Sequence, residues 1–302
     1  MTESAAPTVV EDREFSVAAR SQRRTIARRF LRHRPAIVSL VVLTAITLFV
    51  FIFPIFWEWP FTKRDKTALS QPPSWDHPFG TDELGKDVLG RVMRGTQRSL
   101  EIALIAAFLV TIIGVTLGAI AGYFRGWIDA VIMRFTDLIL TLPLLIVVAV
   151  VSVGYPGSPW YTIPVILGLF AWTTLARIVR AEFMSLREKE FVEAARAVGA
   201  RDRRIIFKHI LPNLAGPIIV AATLSIAGTI ITETALSFLG LGVRAPDVSL
   251  GLLIQESLTA FKTRPWLFWF PAVAIVTVCL SVNFIGDGLR DAFDPKQNRI
   301  KA

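Results

Sequence analysis

The chain has 302 residues, 53% of them hydrophobic and gathered into long runs, which excludes an ordinary soluble domain. Its formal net charge of +9 lies between those runs and not over one polar surface, which excludes a nucleic-acid binder. The single cysteine, Cys279, sits inside an apolar run, which excludes a disulfide framework or a cysteine metal site and points to packing.

Residues 1–35 are polar and rich in arginine, with Arg20, Arg23, Arg24, Arg28, Arg29, Arg32 and Arg34 leading into the first apolar run. That run is long enough to span and no small-residue cleavage site follows it. The pattern predicts an uncleaved anchor with a cytoplasmic amino end. The first span is predicted from Ala36 to Phe56, about the 20 residues that a bilayer core requires, and it closes on the interfacial aromatics Phe56, Trp57 and Trp59. Segment 57–98 is expected outside. It carries Gly80, Gly85 and Lys86 in the order of a phosphate loop. However, Asp87 replaces the hydroxyl that would hold magnesium, Asp82 and Glu83 would face phosphates, and no strand precedes, so no nucleotide site is expected. A short surface helix is expected there instead.

The second span, about Ser99 to Tyr123, has Gly114, Gly118 and Gly122 at four-residue spacing, a stripe that permits close helix packing. After a short turn at Phe124 to Asp129 the third span runs to about Val153. Arg134 and Asp137 are three apart on one face, an arrangement read as structural, and Pro143 is expected to kink the helix. The fourth span is predicted from Tyr161 to Val179. The fifth begins after Pro212 and extends to about Phe238. Glu233 lies some twenty positions into it, near the outer interface, where with Thr229 and Thr232 it either lines a solute path or meets headgroups and water. The last span is predicted from Trp266 to Ile285. Beyond it, Asp287, Arg290 and Asp291 are readable as a solvated helix end with an i, i+3 ion pair.

Between the fourth and fifth spans lies the charged loop of about 187–212. Phe191, Ala194, Ala195 and Val198 fall on one helical face, while Arg187, Glu190, Glu193 and Arg196 occupy the other. Gly199 allows the helix to stop in a left-handed conformation, Asp202 is expected to cap a second short helix, and Pro212 to close it. This loop resembles the cytoplasmic coupling loop of permease subunits in binding-protein-dependent ABC importers, whose pattern is EAA, three residues, Gly, nine residues, Ile, any residue, Leu, Pro. Glu193, Ala194, Ala195, Gly199, Leu211 and Pro212 match it, and His209 stands where the pattern has Ile. HPFGTDELGKDVLGRV, SFLGLG and NFIGDGLRDAFDPK resemble the dipeptide and oligopeptide branch of that family, so the resemblance runs from the first span to the carboxyl end.

What the resemblance implies is an all-α polytopic membrane protein of six transmembrane helices. Its tails would be residues 1–35 and 291–302, and its transmembrane domain 36–290, in a bacterial inner membrane with the amino end cytoplasmic. Glu193, Ala194, Ala195, Gly199, Arg201 and Asp202 would dock on partner ATPases, which bind the ATP and magnesium; this chain would hold no cofactor and would not be an enzyme. Further partners would be a second, related permease subunit in a heterodimer, an extracytoplasmic peptide-binding protein and membrane lipid, with no nucleic acid. The cargo would be a peptide, with nickel or another small solute as the alternative. A self-sufficient secondary transporter is the rival from another class, disfavoured because no repeated half is visible and the charges sit near span ends. The three histidines fall in separate segments, and no nucleophile elbow or metalloprotease motif is present, so metal and hydrolase chemistry are not expected.

Overall fold

The computed structural model describes residues 22–155 and 157–293; the amino-terminal tail to residue 21, including Arg20, and the carboxyl tail from residue 294 lie outside the described residues. Its described residues form helices and loops, with two isolated bridges, Arg64 to Lys86 and Thr81 to Asp87, and no strand. In chain order the helices are α1 (Gln22–Arg32), α2 (Arg34–Ile52), α3 (Val88–Phe124), α4 (Gly126–Thr141), α5 (Leu144–Gly154), α6 (Thr162–Leu186), α7 (Glu190–Ala197), α8 (Asp202–Arg204), α9 (Ala215–Phe238), α10 (Leu250–Ser257) and α11 (Trp266–Phe293).

Among the described residues five stretches are long and apolar enough to cross a membrane, and a bent pair of helices brings the number to six. That pair, α4 and α5, replaces the single third span read from the sequence. Leu142, forced to extended backbone by the proline after it, and Pro143 break the run, and the two halves meet at 71°. Arg134 and Asp137 do not pair as their spacing suggested. Asp137 instead accepts from Arg177 on α6 at 2.6 Å, near which Arg180 is held by Asp129 through two hydrogen bonds.

α3 organises the bundle. Gly114, Gly118 and Gly122 lie against α6 so closely that a Cβ on Gly118 would stand 2.5 Å from the Ala176 carbonyl oxygen, and one on Gly122 2.6 Å from that of Arg180. The small-residue stripe is therefore a seat for one helix of the same chain. On another side α3 meets α9 and α11 through Leu100, Ala103, Ile230, Val278 and Val282.

The structure corrects the start of the second span. α3 begins at Val88, not Ser99, and the expected short surface helix is its first turns. Asp87 explains why. One carboxylate oxygen accepts from the Gly90 amide at 2.7 Å, capping α3, and from the Trp57 indole N–H at 3.2 Å, while the other lies 2.9 Å from His77 Nδ1. His77 reaches on towards Asp65 at 3.5 Å, whose carboxyl is held below its usual 3.8 chiefly by the Thr67 hydroxyl and also by the Thr67 amide. Three arginines of the segment expected outside are paired in the same layer. Arg91 pairs with Asp82 and Glu256, Arg94 with Asp247, and Arg98 with Glu101 and Asp247. Segment 57–87 is thus a folded cap on one end of the bundle, closed against 239–265 by Arg264 on Ser70 and Glu83 and by Trp266 on the Thr81 carbonyl.

Because Asp87 serves three donors while fully buried, Asp87→Ala is expected to cost about 3 kcal/mol. Limited proteolysis in detergent checks this: the variant should be cut within 57–87 at least tenfold faster than the parent, and equal rates would refute the assignment.

At the far end of the chain α11 runs to Phe293, past the predicted Ile285; the i, i+3 pair expected of Asp287 and Arg290 is not formed, and Asp291 meets His33 at 3.4 Å at the start of α2.

Candidate functional site

The opposite end of the bundle carries the 187–212 loop. α7 is an eight-residue helix with Glu190 and Glu193 in its first turn, where the helix dipole favours negative charge. Its end is a Schellman motif. The Ala200 amide donates to the Ala195 carbonyl at 3.0 Å and the Gly199 amide to that of Arg196 at 2.9 Å, while Gly199 holds φ +81°. Nothing lies within 4 Å of where a Cβ would stand at Gly199, so only the backbone conformation requires glycine.

One residue fixes α7 to the bundle: Val192, fully buried with Tyr123, Phe183, Ile205 and Ile210. The sequence showed no sign of this, because Val192 lies off the predicted apolar stripe. The stripe itself faces outward. Phe191 is 40% exposed and Val198 86%, with Glu193 and Ala194 also exposed and Ala195 half-buried. A short helix that turns its apolar face to solvent while a single valine anchors it is an open contact surface.

The second half of the loop departs from the reading of two separate short helices. Arg201, not Asp202, occupies the N-cap of α8, and it makes no side-chain capping bond. The Asp202 carboxylate instead accepts from the Tyr123 hydroxyl at 2.6 Å. Nor does Pro212 close the helix. α8 passes into a π-helical turn, Ile205–Ile210, then a 3-10 turn, Leu211–Leu214, then α9, so that Asp202–Phe238 is one uninterrupted run. The π turn lets the Leu211 amide reach back to the Ile206 carbonyl, and the tightened turn after it accommodates Pro212, which has no N–H to donate.

Tyr123, at the last turn of α3, joins the two halves. Beside its hydrogen bond to Asp202, its carbonyl accepts from Arg187, whose guanidinium also stands 5.4 Å from the Tyr123 ring centroid. Arg125, just after α3, pairs with Glu188 at 2.6 Å. Tyr123, Arg187 and Val192 are thus loop-positioning residues that the motif did not contain. Their partners are far along the chain, and no local pattern could have found them.

Glu233 lies at the other end, apart from this loop. It is fully enclosed, with Ser237 Oγ donating at 2.6 Å and Ser99 Oγ at 3.2 Å, and Ser249, the N-cap of α10, 3.3 Å from Ser237. In this arrangement it presents no surface to a path, to headgroups or to water; it ties α9 to α3 and to the start of α10. Thr229 is buried near it, while Thr232 is half-buried and bonded to its own helix. Among the described residues no group of three or more His, Cys, Asp or Glu side chains could hold a metal ion.

Comparison with known proteins gives the context for this geometry. Residues 114–299 match the family described as binding-protein-dependent transport system inner membrane component, and residues 21–73 match the N-terminal transmembrane domain of oligopeptide transport permease C. An oligopeptide transport system permease protein of Mycobacterium tuberculosis is 42% identical over 282 residues, 93% of this chain and 97% of that protein. One from Haemophilus influenzae is 40% identical over 285 residues, 94% and 91% of the two chains. Among solved structures, an inward-facing methionine ABC transporter chain superposes with a TM-score of 0.56 at 20% identity, covering 68% of this chain and 97% of that one. That last likeness is one of fold.

Proposed function

Because the chain belongs to the family of binding-protein-dependent transport system inner membrane components, we infer that the open face of α7 is where a partner ATPase docks. The chain is a multi-pass permease subunit of a bacterial oligopeptide ABC importer; it performs transport, not catalysis, and ATP is bound by partner subunits. Beyond this family assignment, we propose that Glu193, Ala194, Ala195, Gly199, Arg201 and Asp202 form the ATPase contact. The proposal includes a related second permease completing the path as a heterodimer, and a peptide-binding protein engaging the 57–87 cap. Residues 36–290 are the translocation unit, in an inner membrane with the amino end and α7 on the cytoplasmic side.

One observation carries this reading: a short helix with an exposed apolar edge ends in a hydrogen-bonded tight turn that leads directly into a membrane-crossing helix. ATP-driven closure of two ATPases displaces α7. The Val192 anchor and the Tyr123 to Asp202 bond pass that displacement to α3 and to the 202–238 run, so the bundle alternates between two sets of contacts. Glu233 joins the path only in a state where the start of α10 has moved off α9.

The test is purification of the tagged chain from its host in mild detergent with mass spectrometry of what accompanies it. ATPases and a second permease are expected, and a peptide-binding protein among them supports the cargo. Phe191→Asp with Val198→Asp should lower ATPase recovery at least tenfold while the permease pair persists. Undiminished recovery refutes the docking face. Uptake retained in vesicles without ATP would point to a secondary transporter.

A further inference from the structure

We propose that Arg203, Arg204 and Lys208, grouped around Phe207 at the root of the 202–238 helix, bind the headgroup of an anionic phospholipid. These four residues, with Arg201 at the rim towards α7, line one open cavity of about 410 Å³. Arg201, Arg203, Arg204 and Lys208 make no ion pair among the described residues, and the adjacent Asp202 is turned to the Tyr123 hydroxyl. Six arginines elsewhere in the bundle, Arg91, Arg94, Arg98, Arg125, Arg177 and Arg180, are each matched with a carboxylate, whereas here four cations without one stand together.

Position argues for lipid as the source of the missing negative charge. The apolar run of the span begins at Ile210, two residues after Lys208, and Arg204 lies four residues before Lys208, a rise of roughly 6 Å. The headgroup layer on each side of the bilayer core is about 5 to 7 Å thick, so these cations stand at its level. Phe207, 59% exposed between them, offers an apolar surface to the upper acyl chain. The site is also built in advance: Ile205 and Ile210, both fully buried against α3, α6 and α7, fix the π turn with Phe207 and Lys208 outward. The proposal rests on the membrane-crossing assignment of 202–238 and not on ATPase docking at α7.

The importer purified from its host is placed in nanodiscs of phosphatidylcholine alone or mixed equally with phosphatidylglycerol, and retained lipid is counted by native mass spectrometry. The parent is expected to retain phosphatidylglycerol in clear excess over phosphatidylcholine. Arg203→Gln, Arg204→Gln and Lys208→Gln together should lower that ratio by about tenfold or more. Arg203→Lys with Arg204→Lys keeps the charge and should keep the ratio, which separates loss of charge from loss of fold. Equal retention of both lipids by the parent overturns the proposal, as does an unchanged ratio in the triple variant. Loss of ATPases from the triple variant with the lipid ratio intact assigns the cations to a protein interface instead. Displacement of the lipid by added inorganic phosphate makes the site one for a free anion and overturns the lipid assignment. Because the lipid ratio is read on the permease, it stands whether or not ATPases accompany it.

Discussion

Gly199→Val abolishes most uptake while leaving the assembled importer in the membrane. At φ +81° the position lies in the left-handed region, and holding an L-residue there costs about 1 to 2 kcal/mol, more for a β-branched side chain. No neighbour lies within 4 Å of where a Cβ would stand, so the penalty comes from the residue's own backbone and not from packing. The chain relieves it by opening the Schellman turn, which separates α7 from Asp202 and cuts the rigid connection between the docking face and the 202–238 run. The expected readout is a ratio of peptide transported to ATP hydrolysed that falls by about tenfold or more in proteoliposomes, a change equivalent to about 1.4 kcal/mol of lost coupling. Gly199→Asn should retain much of it, since asparagine tolerates this conformation. Normal transport by the valine variant would remove the turn from the mechanism.

Gly118→Leu should act on the fold instead. Its Cβ alone would stand 2.5 Å from the Ala176 carbonyl oxygen and 2.9 Å from the Val179 Cβ, and backbone cannot swing aside as a side chain can. α3 and α6 must separate along their whole seam, which also holds Gly114 and Gly122. Overpacking costs of about 1 to 3 kcal/mol apply to softer surroundings; here about 3 kcal/mol or more is expected. The folded fraction recovered from membranes should collapse, with thermal unfolding in detergent shifted down. Gly154→Ala, where nothing lies within 4 Å, is the neutral control. If Gly118→Leu melted like the parent, the α3–α6 seam would have to be abandoned.

The spans were legible because the bilayer demands about 20 apolar residues and because glycine and proline carry fixed steric meaning. The seam at Gly114, Gly118 and Gly122, the break at Pro143 and the turn at Gly199 all follow from that. What escaped reading depended on partners remote in sequence. Arg91, Arg94 and Arg98 lie in the 57–98 segment read as outside the second span, and their partners Glu256 and Asp247 come about 150 residues later. Asp202 had the composition of a cap, yet Tyr123 claims it from 79 residues away. Pro212 is an ordinary stop signal, overridden by a π turn whose register is set by the burial of Ile205 and Ile210. Glu233 was placed correctly near a span end, but its enclosure by Ser99, Ser237 and Ser249 requires three segments to converge. The candidate coupling residues, in contrast, were found from a motif, and the structure adds the anchor that the motif omits.

α3, at 37 residues, is about 55 Å long and contains no proline or break between Asp87 and Tyr123. It is therefore one rod whose tips lie in the folded cap and in the Tyr123 junction, with the Gly114, Gly118 and Gly122 seam close to the Tyr123 tip. A tilt of about 5° about Gly118 would move the cap tip by roughly 4 Å and the Tyr123 tip by less than about 1 Å. The geometry is that of an unequal lever, in which a small shift at the loop end is a large one at the cap.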